Sequence, residues 1–165
     1  MVQKTKVAIG LGGNVGTPET YLKQALARLE DEFLENIEVS SFYLTKPWRV
    51  TDQPDFMNAV AVGLSEWKPP AIVNYLKSLE QELGRTHTVR YGPREIDLDL
   101  IAYGSEVWES EGVTVPHERM TEREFVLLPL QEVWPTWNHP SRNRTAVELW
   151  SEWKSRHTPS AVKQS

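Results

Sequence analysis

Two aspartates, Asp97 and Asp99, stand in the run RYGPREIDLDLIAYG, bounded by glycines and otherwise apolar around them. On a strand, residues two apart project from one face, so the carboxylates would stand side by side while Ile96, Leu98 and Leu100 face the other way. Their Cα atoms would lie roughly 6.5 Å apart, twice the rise per residue. That spacing suits carboxylates that share a pair of cations in phosphoryl chemistry. Alone, D-x-D is more often the wet polar face of an antiparallel strand. The approach to it changes the balance: Arg85, Arg90 and Arg94 lie close together in a loop whose Gly92-Pro93 fixes the turn into the strand. Guanidinium forks match phosphate oxygens bidentately, so the arginines beside the acids suit a metal-bound polyphosphate. Their alternative is a set of solvated charges or ion pairs to Glu80 and Glu82. Oxygen ligands with no cysteine point to magnesium and away from zinc.

Other candidates carry less. The stretch GLGGNVG lacks the glycine that a dinucleotide fingerprint needs at Val15, and no Gly-Lys-Ser or Gly-Lys-Thr follows it, which leaves a flexible turn that covers a site. His117, near Arg119 and Arg123, could donate to phosphate or cap a turn. His87 lies in the basic loop, while His139 and His157 fall in terminal context. No two histidines have metal-ligand spacing and no serine sits in a nucleophile elbow, so acyl transfer is unsupported. Trp134, Trp137, Trp150 and Trp153 read as packing for the C-terminal segment.

The elements that must position these residues follow from periodicity. Lys6 to Leu11 reads as a strand, and Glu19 to Glu32 as a helix with Leu22, Leu26 and Leu29 on its apolar stripe. Ile37 to Thr45 and Phe56 to Leu64 read as strands separated by the Pro- and charge-rich KPWRVTDQPD. Pro69 and Pro70 open a second helix bearing Ile72, Val73, Leu76, Leu79 and Leu83, with Gly84 placed to end it. Ile96 to Tyr103 is the next strand. The order β-α-β-β-α-β predicts an α+β, ferredoxin-like core: a mainly antiparallel sheet with helices on one face. A strand-like piece at Glu106 to Trp108 follows, then a helix near Glu122 to Gln131, a last helix from Thr145 to Trp153 and a frayed tail.

At 165 residues one domain is expected, spanning 1–158, with 159–165 as the tail. The net charge of -5 disfavours nucleic acid as a partner, although a nucleotide needs only a local basic patch. No run of about 20 apolar residues speaks for a membrane span. No signal peptide is visible either, and with no cysteine the chain is expected to be cytoplasmic.

The signature RYGPREIDLDLI, with SSFYLTKP, DQPDFMNA, VTVPH and REFVLLPL in the same order across Lys6 to Leu130, resembles the 6-hydroxymethyl-7,8-dihydropterin pyrophosphokinase family of folate biosynthesis. The resemblance implies transfer of the β,γ-pyrophosphoryl group of ATP to the pterin hydroxymethyl oxygen, releasing AMP. It implies that Asp97 and Asp99 hold two magnesium ions and that Arg85 and Arg94 are mobile phosphate-binding arginines. His117 and Arg123 then contact ATP phosphates, Glu80 and Thr114 belong to the nucleotide side, and Arg90 joins the ATP contacts. Phe56 and Phe125 sandwich the pterin, Asn58 reads its amide edge and Thr45 lends backbone groups. Segments at Gly12 to Thr17, Lys46 to Asp55 and Arg85 to Tyr91 match mobile loops that exclude water.

The departures are local: a basic loop about one residue short, in which His87 or Arg90 substitutes for a lysine, together with Lys46, Trp48, Lys77, Gly112 and, in place of a glycine, Glu124. With no room for a fused domain, the chain is expected to work alone, as a monomer. Two other classes remain open. A two-magnesium phosphohydrolase would use the same acids without an aromatic sandwich. A non-catalytic ferredoxin-like binding module would need exposed sheet aromatics and a basic stripe where this strand carries acids.

Overall fold

The computed structural model describes residues 3–46, 52–84 and 96–164. Strand β1 (Thr5–Gly13) leads to helix α1 (Pro18–Glu32), which begins on proline and buries Leu22, Ala25 and Leu29. Two short strands follow, β2 (Glu35–Val39) and β3 (Tyr43–Thr45), then the long β4 (Phe56–Ser65). Helix α2 (Pro69–Glu82) buries Ile72, Leu76 and Leu79, and the chain leaves it through Gly84 at a φ of 103°, a conformation that glycine adopts without Cβ strain. Strand β5 (Asp97–Tyr103) completes the β-α-β-β-α-β core, with β2 and β3 counted as one interrupted strand.

The sheet runs β5-β1-β4-β3, with β2 also on β4, and every pairing is antiparallel. The strand expected at Ile37 to Thr45 is broken at Ser40. Its hydroxyl accepts the N–H of Val60 at 2.9 Å while its own N–H donates to the Val60 carbonyl, so a side chain takes over one rung and shifts the register.

The α1 and α2 layer packs on Val7, Ile9, Leu11, Ala59, Ala61, Leu98 and Leu100. The opposite face of the sheet is apolar as well, through Ala8, Val60, Val62, Ile101 and Ala102. It is covered by α3 (Glu124–Val133) and α4 (Ala146–Arg156), so helices lie on both faces where one was expected. Helix α4 starts in a capping box between Thr145 and Glu148. Between β5 and α3 come a hairpin of β6 (Trp108–Ser110) and β7 (Val113–Val115), slightly later than the piece expected at Glu106, and a 3-10 turn at Met120–Glu122.

The tail corrects an expectation. Instead of fraying, Val162–Lys163 forms β8 and pairs antiparallel with the edge strand β3. Ser160 and Ala161 donate to the buried carboxylate of Glu124, and an edge strand left bare would otherwise expose unpaired backbone groups.

Candidate active site

Among the described residues, strand β5 lies at an edge of the sheet, with β1 as its neighbour. Leu98 and Leu100 anchor it in the α1–α2 core, which turns the half-buried Asp97 and Asp99 to the α3 face. The outer edge of the strand is held by side chains and loop. The Glu80 carboxylate, on α2, is 4% exposed and accepts the Leu98 N–H at 2.6 Å, between the two aspartates. Further along, the His117 N–H donates to the Ile101 carbonyl at 2.9 Å. A carboxylate pair on a strand pinned in this way stands on a rigid support, which a charge-handling site requires.

The surroundings of His117 favour its neutral form. Burial, helped by the positive charge of Arg123, lowers its pKa from 6.5, against the pull of Asp97 and Glu118. Its Nδ1 accepts the Arg119 N–H at 3.3 Å, which assigns the ring proton of the neutral imidazole to Nε2. A cavity of about 580 Å³ wraps this edge of the sheet. Glu80, Asp97, Asp99, Thr114, His117 and Arg123 all line it, so six residues expected at the nucleotide and metal end are brought together. Arg119 and Lys77 line it too and add positive charge to its wall.

A second group lies on the other side of β1. Thr45 and Phe56 face each other in the β3–β4 register. The Asn58 amide Nδ2–H donates to Thr45 Oγ1 at 2.7 Å, and both residues are buried. This orients Asn58 Oδ1 away from Thr45 and toward Gly12, where a Cβ would come within 2.6 Å of it. The bond engages the Thr45 side chain, a contact the sequence did not suggest. Phe125, half-buried in the first turn of α3, has the Arg123 guanidinium 5.4 Å over its ring.

Gly12 joins the two groups. It pairs with Asp97 on β5 and with Asn58 on β4, so Asp97, Gly12 and Asn58 form one row across the sheet on one face. At about 4.8 Å per strand the row spans roughly 10 Å, and its centre carries no side chain. The strand expected to end at Leu11 therefore runs on through Gly12 and Gly13, which were read as turn, and forms a floor. The glycines obscured this, because glycine is depleted in strands unless another group approaches closely. Asn14 was also missed. It is buried, and its Nδ2 donates to Gln53 Oε1 at 2.8 Å and to the Pro54 carbonyl at 2.9 Å, tying the end of the 46–55 segment to β1.

Arg85, His87, Arg90, Arg94 and Trp48 lie outside the described residues. Among the described residues no three His, Asp or Glu side chains come together as a complete metal cage. Two neighbouring carboxylates nonetheless fit magnesium, which keeps much of its shell for water and phosphate oxygens.

Comparison with known proteins gives a consistent result. The sequence model of 7,8-dihydro-6-hydroxymethylpterin-pyrophosphokinase matches residues 8–135. A Bacillus subtilis 2-amino-4-hydroxy-6-hydroxymethyldihydropteridine pyrophosphokinase is 43% identical over 126 residues, covering 76% of this chain and 75% of the relative. An Arabidopsis thaliana folate synthesis bifunctional protein is 43% identical over 129 residues, which cover 78% of this chain but 27% of the plant protein, so the chain spans about a quarter of that relative's length. A crystal structure of a Plasmodium falciparum HPPK-DHPS triple mutant superposes with a TM-score of 0.75 over 93% of this chain and 42% of the other; at 15% identity it bears on the fold.

Proposed function

The chain belongs to the 7,8-dihydro-6-hydroxymethylpterin-pyrophosphokinase family, whose named members are ATP-dependent diphosphotransferases of folate biosynthesis, and on that premise we propose how its residues divide the reaction. The substrates are ATP and 6-hydroxymethyl-7,8-dihydropterin, and the products are AMP and the pterin diphosphate. The observation that carries this reading is the row Asp97–Gly12–Asn58, a phosphate-handling end and a heterocycle-reading end held on one sheet face.

Asp97 and Asp99 hold two magnesium ions. Bound there, magnesium would supply positive charge against the polyphosphate as transfer proceeds. His117 Nε2–H and Arg123 donate to phosphate oxygens, Thr114 and Glu80 border the nucleotide, and Arg85, Arg90 and Arg94 close over the phosphates. Asn58 Oδ1 accepts from the pterin amide edge while its Nδ2 stays on Thr45, and Phe56 and Phe125 stack on the two faces of the ring. The hydroxymethyl oxygen then attacks the β-phosphorus in line and the bond to the α-phosphate oxygen breaks, so rate comes from positioning and charge neutralisation.

The chain is a single catalytic unit acting as a cytoplasmic monomer in this reading. The absence of cysteine agrees with a reducing compartment, and among the described residues no helix is long and apolar enough to cross a membrane. A solution mass near 19.0 kDa would support the monomer, and twice that value would overturn it.

Incubation of ATP, magnesium and the hydroxymethyl-dihydropterin should yield AMP only when the pterin is present. Release of ADP or free phosphate without pterin would favour a phosphohydrolase instead. Asp97→Ala or Asp99→Ala should lower turnover by at least about 10²-fold, the scale of losing a preorganised charge-stabilising group, with the fold retained.

A further inference from the structure

Glu124 is the first residue of α3 and stands between two residues of the site, Arg123 and Phe125. It is 8% exposed, unusual for a carboxylate unless its oxygens are engaged. They are engaged by the C-terminal segment: Oε2 accepts the Ser160 N–H at 2.8 Å and the Ala161 N–H at 3.2 Å, and Oε1 accepts the Ser160 hydroxyl at 3.1 Å. That segment continues directly into β8, which pairs Val162 with Leu44 and Lys163 with Tyr43, and the Gln164 N–H donates to the Phe42 carbonyl at 2.8 Å. A continuous chain of contacts thus runs from the start of α3 through the tail to β3, the strand that carries Thr45.

The far end of α3 is tied to the same strand. Glu132 accepts from the Ser41 N–H and hydroxyl and from the Tyr43 hydroxyl at 2.6 Å. Helix α3 is therefore held against β3 at both ends by carboxylates, one directly and one through the tail. The proposed sandwich needs this spacing fixed, because one of its rings is on α3 and the other, Phe56, is paired with Thr45. A slot of that kind loses activity when its walls shift by about 1 Å.

We propose that Glu124, through its bonds to Ser160 and Ala161, is a positioning residue for pterin binding: it locks the C-terminal strand between α3 and β3 and so sets the placement of Phe125 relative to Thr45 and Phe56. The inference rests on the function proposed above. Its effect falls on the pterin end, since the cavity at the β5 edge is built from α2, β5, β7 and the 117–123 segment.

The test uses the full chain. Glu124→Ala should raise KM for the hydroxymethyl-dihydropterin about 10-fold, the upper range for loss of one such bonded group, and leave KM for ATP within about 2-fold. Glu124→Gln, which keeps an acceptor, should recover part of the loss. Ala161→Pro, which removes one donated N–H from the tail side without touching α3, should reproduce the pterin effect. The double variant Glu124→Ala/Ala161→Pro should be no worse than Glu124→Ala alone, as for two groups acting through one contact. An unchanged pterin KM in Glu124→Ala, equal rises in both KM values, or additive losses would overturn the positioning role, and Ala161→Pro decides it if Glu124→Ala does not fold. Failure of the parent chain to make AMP would overturn the proposed function itself, whereas an active parent with an indifferent Glu124→Ala would overturn this inference alone.

Discussion

At the scale of single residues, Gly12 shows how an absent side chain can define a site. Its neighbours across the sheet are Asp97 and Asn58, and an added Cβ would lie 2.6 Å from Asn58 Oδ1, closer than non-bonded atoms approach. The amide cannot simply swing away, because its Nδ2 is bonded to Thr45 Oγ1 at 2.7 Å in a buried setting. Gly12→Ala should therefore displace the Asn58 amide and weaken its recognition of the pterin. Loss of one neutral hydrogen bond, about 0.5–1.5 kcal/mol, corresponds to a KM for the pterin raised by roughly 3- to 10-fold. KM for ATP should hold, since the cavity at the β5 edge, proposed for the nucleotide, is not lined by Gly12. Steady-state kinetics with each substrate varied in turn would show it. An unaltered pterin KM would mean that Asn58 does not read the substrate.

Among the elements, α3 bears the greatest positional demand, and Glu132 gives a way to test its attachment. Burial by itself would raise the Glu132 pKa, but hydrogen bonds from the Tyr43 hydroxyl and from the N–H and hydroxyl of Ser41 outweigh it and hold the group below 4.5. The Tyr43 hydroxyl, buried and bonded to this carboxylate, is pushed up to about 12 and stays a donor. A carboxyl whose folded pKa is depressed adds stability above its unfolded pKa, and this is lost as pH falls through the folded value. Glu132→Gln should thus melt below the parent at neutral pH, with the gap closing as pH drops below 4.5. Thermal unfolding of both proteins across that range is the measurement; a gap that did not close would assign the effect to shape alone. The elements themselves were largely legible, since Leu22 and Leu29, or Ile72 and Leu76, recur at helical spacing and Leu98 and Leu100 alternate with acids. The break at Ser40 and the tail strand were not, because each depends on a side chain bonding far along the chain: Ser40 to Val60, Glu124 to Ser160. The site divides in the same way. Asp97 and Asp99 were singled out by strand geometry and His117 by its basic neighbours, its role left open; Glu80, Thr114 and Arg123 came only from family resemblance, because they converge from separate elements.

For the whole molecule, charge poses the central difficulty: a chain of net charge -5 is to bind a polyanion beside two carboxylates. Lys77, Arg119 and Arg123 on the cavity wall lessen the repulsion locally, but Asp97, Asp99 and Glu80 line the same space. Nucleotide binding should therefore depend on a divalent cation, and it should stabilise the entire fold, because the cavity draws residues from α2, β5, β7 and the segment leading to α3. A non-hydrolysable ATP analogue with magnesium at 100 times its Kd adds about 2.7 kcal/mol to the folded state. For a domain of this size each kcal/mol moves Tm by about 2–4 °C, so a rise of roughly 5–11 °C is expected. Removing magnesium with a chelator should abolish the rise, and Asp97→Ala should do so with magnesium present, while leaving the melting of the ligand-free protein close to that of the parent. A nucleotide-induced rise that survived the chelator would show that the basic wall suffices by itself, and the carboxylates would then need another role.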